Sequence, residues 1–160
     1  IVKLLPNYHM YELNEENLGK LVELTKRNNL LISIQVRFED IRGSYPPLKV
    51  KDVDVQKAVK TVSYFPEQTF VFSNIYRNEI PDVFPFLKNA YVDISSVEIH
   101  NILKYLDERY DLDKFLFSSH CAFYYPEGNI NKLKYADIEP EKIEGIAHKN
   151  AERLLNNLRG

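Results

Sequence analysis

The chain has 160 residues, 44% hydrophobic and 28% charged, the proportions of an ordinary folded domain rather than of a disordered or fibrous chain. Its 21 Lys and Arg against 23 Asp and Glu give a formal net charge of -2, too few uncompensated cations to neutralise a run of phosphates, so no nucleic-acid partner is expected. A single cysteine, Cys121, excludes an internal disulfide and a multi-cysteine metal centre, and no apolar run approaches the roughly 20 residues that span a bilayer; no membrane partner and a cytoplasmic location are expected.

Residues 1–5 (IVKLL) form a β-prone run stopped by Pro6. The run opens without an initiator Met, which reads as part of a longer polypeptide. Asn14 followed by Glu15 and Glu16 predicts a helix start, because an Asn side chain accepts from a free first-turn N–H and acids suit the positive end of the helix dipole. Leu18, Leu21, Val22 and Leu24, with Thr25, are expected on its apolar face, and Asn28 and Asn29 end it. Residues 30–36 (LLISIQV) predict a second strand, followed by a polar stretch over 37–51. Asp52 or Asp54 can cap a second helix with Val55, Ala58, Val59 and Val62 at helical spacing. A third strand is expected at 69–73 (TFVFS), a helix near 81–87 and a fourth strand at 90–94 (AYVDI). The clearest helical pattern covers 97–110, with Ile99, Ile102, Leu103 and Leu106 facing inward. Residues 114–117 (KFLF) predict a fifth strand and 118–135 a loop. Segments 137–145 and 146–158 read as two short helices or one kinked at Gly145, with Pro140 in the first turn.

Five strands alternating with helices predict an α/β fold of parallel (β/α) units with right-handed crossovers. The strands are continuous apolar runs, as expected when both faces of a sheet are covered. The pattern leaves two architectures open, a self-sufficient flavodoxin-like open sheet or an arc of a closed barrel. In both, chemistry gathers beyond the C-terminal ends of the strands. Those positions hold Asn7, Tyr8 and His9, then Gln35, Arg37, Glu39, Asp40 and Arg42. Asn74, Tyr76, Arg77 and Asn78 follow the third strand, Asp93, Ser95, Ser96 and Glu98 the fourth, and Ser118, Ser119, His120 and Cys121 the fifth. The opposite strand ends offer turn residues such as Asn28, Asn29 and Pro66. Asp93, Ser95 and Ser96 equally suit helix capping and His9 a packed histidine, whereas the strand-end location of His120 favours a site role over a packed one, and His100 and His148 fall on helices as structural or solvent-facing residues. Cys121 and His120 do not make a nucleophile pair, since adjacent side chains diverge. The chain lacks a Gly-rich phosphate loop, a G-x-S-x-G elbow, an H-E-x-x-H and an H-x-H.

The series VKLLPNYHMYELNEENLGKLVELTKRNNLLISIQVRFED, FVFSN, NAYVDIS, DKFLFSSHCAFYYPEG and NAERLL resembles the amidohydrolase-related proteins, a group of metal-dependent hydrolases and decarboxylase relatives. The resemblance runs over essentially the whole chain. It implies the C-terminal portion of a (β/α)8 TIM-type barrel, strands four to eight, as one incomplete-barrel domain over residues 1–160 that lacks the N-terminal strands. Catalytic members carry an H-x-H pair on the first strand, further histidines, and a G-S-D after the eighth. Here Gln35 and Asn74 stand at the fifth- and sixth-strand positions and Ser118-Ser119-His120 at the eighth, so three ligand positions differ. What the resemblance implies is a hydrolase or lyase acting on a small, carboxylated molecule through a non-standard site with one divalent metal, zinc or manganese. His120 would be metal ligand or general base, with Asn7 and His9 in the mouth and Gln35 and Asn74 orienting substrate. Arg37 or Arg77 would hold an anionic group, and Glu39 and Asp93 would line the mouth. The departures equally suit a metal-free barrel that binds a small molecule, or an inactive fragment, and open barrel edges favour a homo-oligomer.

Overall fold

The computed structural model describes residues 1–40, 42, 47, 50–84 and 88–158. Five short strands, β1 (Val2–Leu4), β2 (Ile32–Gln35), β3 (Phe70–Ser73), β4 (Ala90–Asp93) and β5 (Phe115–Leu116), form one parallel sheet in the order β1-β2-β3-β4-β5. The register sets Leu4 beside Ile34, Ile34 beside Phe72, Phe72 beside Val92 and Val92 beside Phe115. Sequential order is that of a barrel arc, whereas a flavodoxin-like sheet runs 2-1-3-4-5. The parallel α/β expectation therefore holds, and the open flavodoxin-like alternative is corrected.

Side chains alternate between the two faces of each strand. Ile32, Ile34, Phe70, Phe72, Ala90, Val92 and Phe115 enter the main core. That core is closed by α1 (Glu15–Arg27), α2 (Val55–Val62), α3 (Ile80–Val83) and α4 (Ile102–Asp107) through residues such as Leu18, Val59, Ile80 and Leu103. The alternate positions Val71, Tyr91 and Leu116, together with Leu31, pack instead against Ala151, Leu154 and Leu158 of the C-terminal helix. The same inner face turns polar toward the C-terminal strand ends, where Ser33, Gln35, Ser73 and Asp93 are buried.

The predicted caps form: Asn14 accepts from Asn17 N at 2.9 Å and Asp54 from Lys57 N at 3.0 Å. On α1 the buried residues are Leu18, Val22 and Thr25. Leu24, expected inside, is 56% exposed, because at about 100° per residue it lies far round the helix from Leu18 and Val22. The predicted helix over 97–110 is also shorter than its pattern. Asn101 takes a left-handed φ of 50°, α4 starts only at Ile102, and Ile99 is 45% exposed in the preceding turn. The expected loop at 118–135 contains a helix, α5 (Pro126–Lys134), with Pro126 in its first turn. The last two helices are α6 (Pro140–Glu144) and α7 (Asn150–Asn157), joined by a π-helical turn over Gly145–Lys149, so the expected break at Gly145 is a wide turn and not a gap. Residues 85–87 of the helix expected near 81–87, and 41, 43–46 and 48–49 of the polar stretch, lie outside the described residues. No helix among the described residues is long and apolar enough to cross a membrane.

Candidate functional site

Asn74, directly after β3, organises the C-terminal strand ends. Its φ of 65° is left-handed, a conformation Asn tolerates better than most residues, and it turns a fully buried side chain under the neighbouring loops. Oδ1 accepts from the hydroxyls of Ser95, at 2.9 Å, and Ser96, while Nδ2 donates to Arg37 O at 3.1 Å. Asp93 Oδ1 accepts from Asn74 N at 3.3 Å and Ser95 N at 3.0 Å, and it lies within reach of the Ser95 hydroxyl. That hydroxyl has one proton for two acceptors, so it serves Asp93 or Asn74 but not both at once. The ends of β2, β3 and β4 are thereby tied together with almost no contact with water.

Arg37 is 4% exposed and fully engaged within the protein. Its guanidinium faces both carboxylate oxygens of Glu79, with Nη1 2.7 Å from Oε2, donates to Asn74 O at 2.9 Å and stacks 3.7 Å from the Tyr76 ring centroid. Nε lies 2.9 Å from Asp52 Oδ2 in an ion-pair contact, but its N–H is not aimed at the oxygen and makes no hydrogen bond. Burial works against the Arg37 charge and is outweighed by Glu79 and Asp52, which hold it protonated. Burial also pushes the Asp52 carboxyl up, against the pull of Arg37. Gln35 Nε2 donates to Arg37 O at 2.6 Å, which fixes the amide orientation and leaves the buried Oε1 without a donor among the described residues.

Across the mouth, the loop after β5 folds onto the loop after β2. His120, also left-handed at φ 49°, brings Nε2 within 3.1 Å of Phe38 O. A carbonyl only accepts, so Nε2 carries a proton and, in the neutral ring, Nδ1 keeps the lone pair. The imidazole stacks on Phe123, with centroids 5.2 Å apart, and meets the edge of Tyr124 at 5.0 Å. Between these loops and α5 lies a cavity of about 510 Å³ lined by Glu39, Asp40, Arg42, Glu98, Phe123, Tyr124, Tyr125, Gly128, Asn129 and Lys132. Ser96 Oγ hydrogen-bonds the Tyr124 hydroxyl at 3.2 Å, and burial pushes that phenol up. Lys132 Nζ donates to Ile94 O at 2.8 Å, Ser95 O at 3.0 Å and Asn129 Oδ1 at 2.7 Å. Burial draws this lysine down to about 8, opposed by Glu98 and Asp93.

The structure thus joins Gln35, Arg37, Asn74 and Asp93 in one network and places Glu39 on the adjoining cavity, with His120 packed against that cavity's Phe123 and Tyr124. Other positions from the sequence stand apart. Asn7 Nδ2 is held by Lys51 O at 2.8 Å and Asp52 O at 2.7 Å, and His9 is exposed between Tyr8 and Tyr11. Arg77 turns to α4, its guanidinium 5.3 Å from the Tyr105 centroid. Sequence reasoning missed Glu79, Asn129 and Lys132. Pro126, a good first residue of a helix, was the available signal for α5, which puts Asn129 and Lys132 one turn apart on the same side. No group of three or more His, Cys, Asp or Glu able to hold a metal ion occurs among the described residues. Asp93 Oδ1 and Asn74 Oδ1 are already occupied by donors, and the described residues hold no ready set of the three or more ligands that a divalent cation asks for.

No family pattern matches the chain and no curated protein matches it. Solved structures do. An uncharacterized TIM-barrel protein from Bordetella bronchiseptica superimposes with a TM-score of 0.66 at 18% identity, over 93% of this chain and 53% of that one. An amidohydrolase II structure gives 0.58 at 16% identity over 87% and 56%. A dihydroxybenzoic acid decarboxylase from Polaromonas, solved with manganese and an inhibitor, gives 0.56 at 13% identity over 86% and 53%. At these identities the likeness is one of fold: the chain has the β/α architecture of these barrels and spans about half their length.

Proposed function

We propose that this chain builds the C-terminal mouth of a TIM-barrel hydrolase or lyase that acts on a small carboxylated molecule. The observation that carries the reading is the grading of the inner face, apolar at Leu31, Val71 and Leu116 and polar at Gln35, Ser73 and Asp93, with the polar end opening beside the 510 Å³ cavity. TIM-barrel chemistry sits at this end of the strands. The likeness in fold to a decarboxylase of a carboxylated aromatic supports the substrate class. In this reading His120 is the proton acceptor: Phe38 O holds Nε2–H and leaves Nδ1 the lone pair. Gln35 braces Arg37 O through Nε2, and Arg37 orders the strand ends from within.

The test is turnover of a panel of carboxylated amides, esters and hydroxybenzoates by the purified chain and by His120→Ala. Loss of roughly 100-fold or more in kcat/KM, with the near-ultraviolet circular dichroism retained, is expected for a general base. Unchanged turnover would overturn the role of His120. Binding of carboxylates without turnover of any of them would overturn the enzyme reading in favour of a small-molecule binding barrel.

A further inference from the structure

Of the cationic side chains near the strand ends, Arg37 and Lys132 are committed, and Arg77 turns away from the mouth cavity. Arg37 is buried on Glu79, Asp52 and a carbonyl, and Arg77 lies over Tyr105. Lys132 has spent its three protons on Ile94 O, Ser95 O and Asn129 Oδ1. Arg42 differs. It lines the mouth cavity with a side chain that is 67% exposed, and its guanidinium is fully paired along one edge. Asp40 takes that edge: Nε is 2.9 Å from Oδ1 and 3.1 Å from Oδ2, and Nη2 also meets Oδ2. The Asp40 carboxylate is itself braced by Arg42 N at 2.8 Å and held below the usual carboxylate range by its hydrogen bonds from Arg42.

The outer edge of the guanidinium, Nη1 with Nη2, faces Glu98 of the loop after β4. Glu98 touches it through a single contact, Nη2 to Oε2 at 2.6 Å, and Nη1 meets no acceptor among the described residues. A guanidinium has five donors, and its paired terminal nitrogens match the two oxygens of a carboxylate. One edge is therefore oriented by Asp40, and the other is half-used by an internal carboxylate that is itself 47% exposed and returns to water at little cost.

We propose that Arg42 is the carboxylate receptor of this mouth and that Glu98 holds its place, so that a small planar carboxylate binds by exchanging with Glu98 on the outer edge of the guanidinium. The incoming group makes two parallel N–H···O bonds where Glu98 makes one. Phe123, Tyr124 and Tyr125 on the cavity wall suit an aromatic body behind the carboxylate. Asp40 and Glu98 both hold Arg42 in this cavity, so an anion gains there only by taking the cation from one of them, and Glu98 is the one with a single contact to it. The assignment rests on the carboxylated-substrate reading above.

The test is calorimetric titration of the purified chain with benzoate, and with benzamide as the uncharged molecule of the same shape. The wild-type chain is expected to bind benzoate. Glu98→Gln, which removes the competitor, should bind it about 3- to 10-fold more tightly, and Arg42→Gln at least about tenfold more weakly. Neither substitution should change the response to benzamide. Benzoate binding that survives Arg42→Gln, or fails to tighten in Glu98→Gln, overturns the exchange and leaves a carboxylate-binding mouth standing. Absence of benzoate binding in both the wild type and Glu98→Gln overturns the exchange together with the carboxylate reading.

Discussion

Asn74 performs two separable tasks, and substitution can divide them. Its backbone holds a left-handed turn at φ 65°, and its side chain supplies the acceptor for Ser95 and Ser96 and the donor to Arg37 O. Asn74→Gly keeps the turn and loses the side-chain bonds, which should cost about 1–2 kcal/mol, because Ser95 retains Asp93, Ser96 retains Tyr124 and Arg37 O retains Gln35 Nε2. Asn74→Ala loses the same bonds and adds left-handed strain, about 1 kcal/mol more. Urea unfolding that gives equal values for the two would show that the turn carries no strain. Lys132 is the other residue whose environment is unlike its sequence context. With its folded pKa lowered to about 8 against roughly 10.4 in the unfolded chain, the unfolded state binds more protons between those values. Stability due to this residue therefore rises as pH increases from about 8 to about 10. The difference in unfolding free energy between the wild type and Lys132→Met should grow over that window, and a flat difference would refute the depressed value. Asn74, Asp93, Ser95 and Ser96 were legible because a strand end is a position that sequence marks. Lys132 was not, since its backbone partners Ile94 and Ser95 lie 38 and 37 residues away in an unrelated loop.

Among elements, the last helical segment shows how an exposed sheet edge is closed. β5 has a neighbour on one side only, and an unpaired strand edge invites association. On its open side Phe117 N donates to Ile146 O at 3.0 Å, a carbonyl belonging to the π-helical turn that opens at Gly145. The side chain of Asn150, 2% exposed, then donates to Leu112 O and Phe115 O, both at 2.8 Å. Asn150→Ala removes both bonds and strands Phe115 O, while Leu112 O keeps the Phe115 N–H, so a loss of about 1–3 kcal/mol is expected in urea unfolding, with increased self-association by sedimentation velocity. A loss under about 0.5 kcal/mol, the range of ordinary surface changes, would mean that water replaces the amide without cost. The break at Gly145 was visible in the sequence, but its purpose was not, because the partner strand lies about one helix–loop unit upstream. The two misjudged elements fail for opposite reasons. The 97–110 pattern has helical period in residues that a left-handed Asn101 keeps out of the helix, and α5 has too few apolar residues to show a period at all, its buried residue being Asn129.

At the scale of the whole molecule, the sheet is covered on both faces by different means. Helices α1 to α4 close one face around Phe70, Phe72 and Phe115. The lower half of the other is closed by α7, through Leu154, Ala151 and Leu158 on Leu31, Val71, Tyr91 and Leu116. The alternation of apolar strands with helices predicted the first cover, since continuous apolar strands require helices alongside them. The second could not be foreseen from the NAERLL pattern, because an amphipathic helix reveals that it has a buried side and not which sheet face receives it. The arrangement keeps the base of the inner face out of water within a chain that spans about half the length of the barrels it resembles, and the buried polar strand ends lie beside the mouth cavity. Ending the chain after Lys149 should therefore uncover a contiguous apolar patch at the base while leaving the α1–α4 core in place. The truncated chain is expected to bind a hydrophobic dye such as anilinonaphthalene sulfonate and to form dimers or larger species in sedimentation, with far-ultraviolet helicity reduced only by the missing segment. Dye binding and sedimentation unchanged from the full chain would mean that α7 does not cover the inner face. Global loss of circular dichroism would mean instead that the two covers fold as one cooperative unit, with the strand-end site dependent on the packing of Leu154 beneath it.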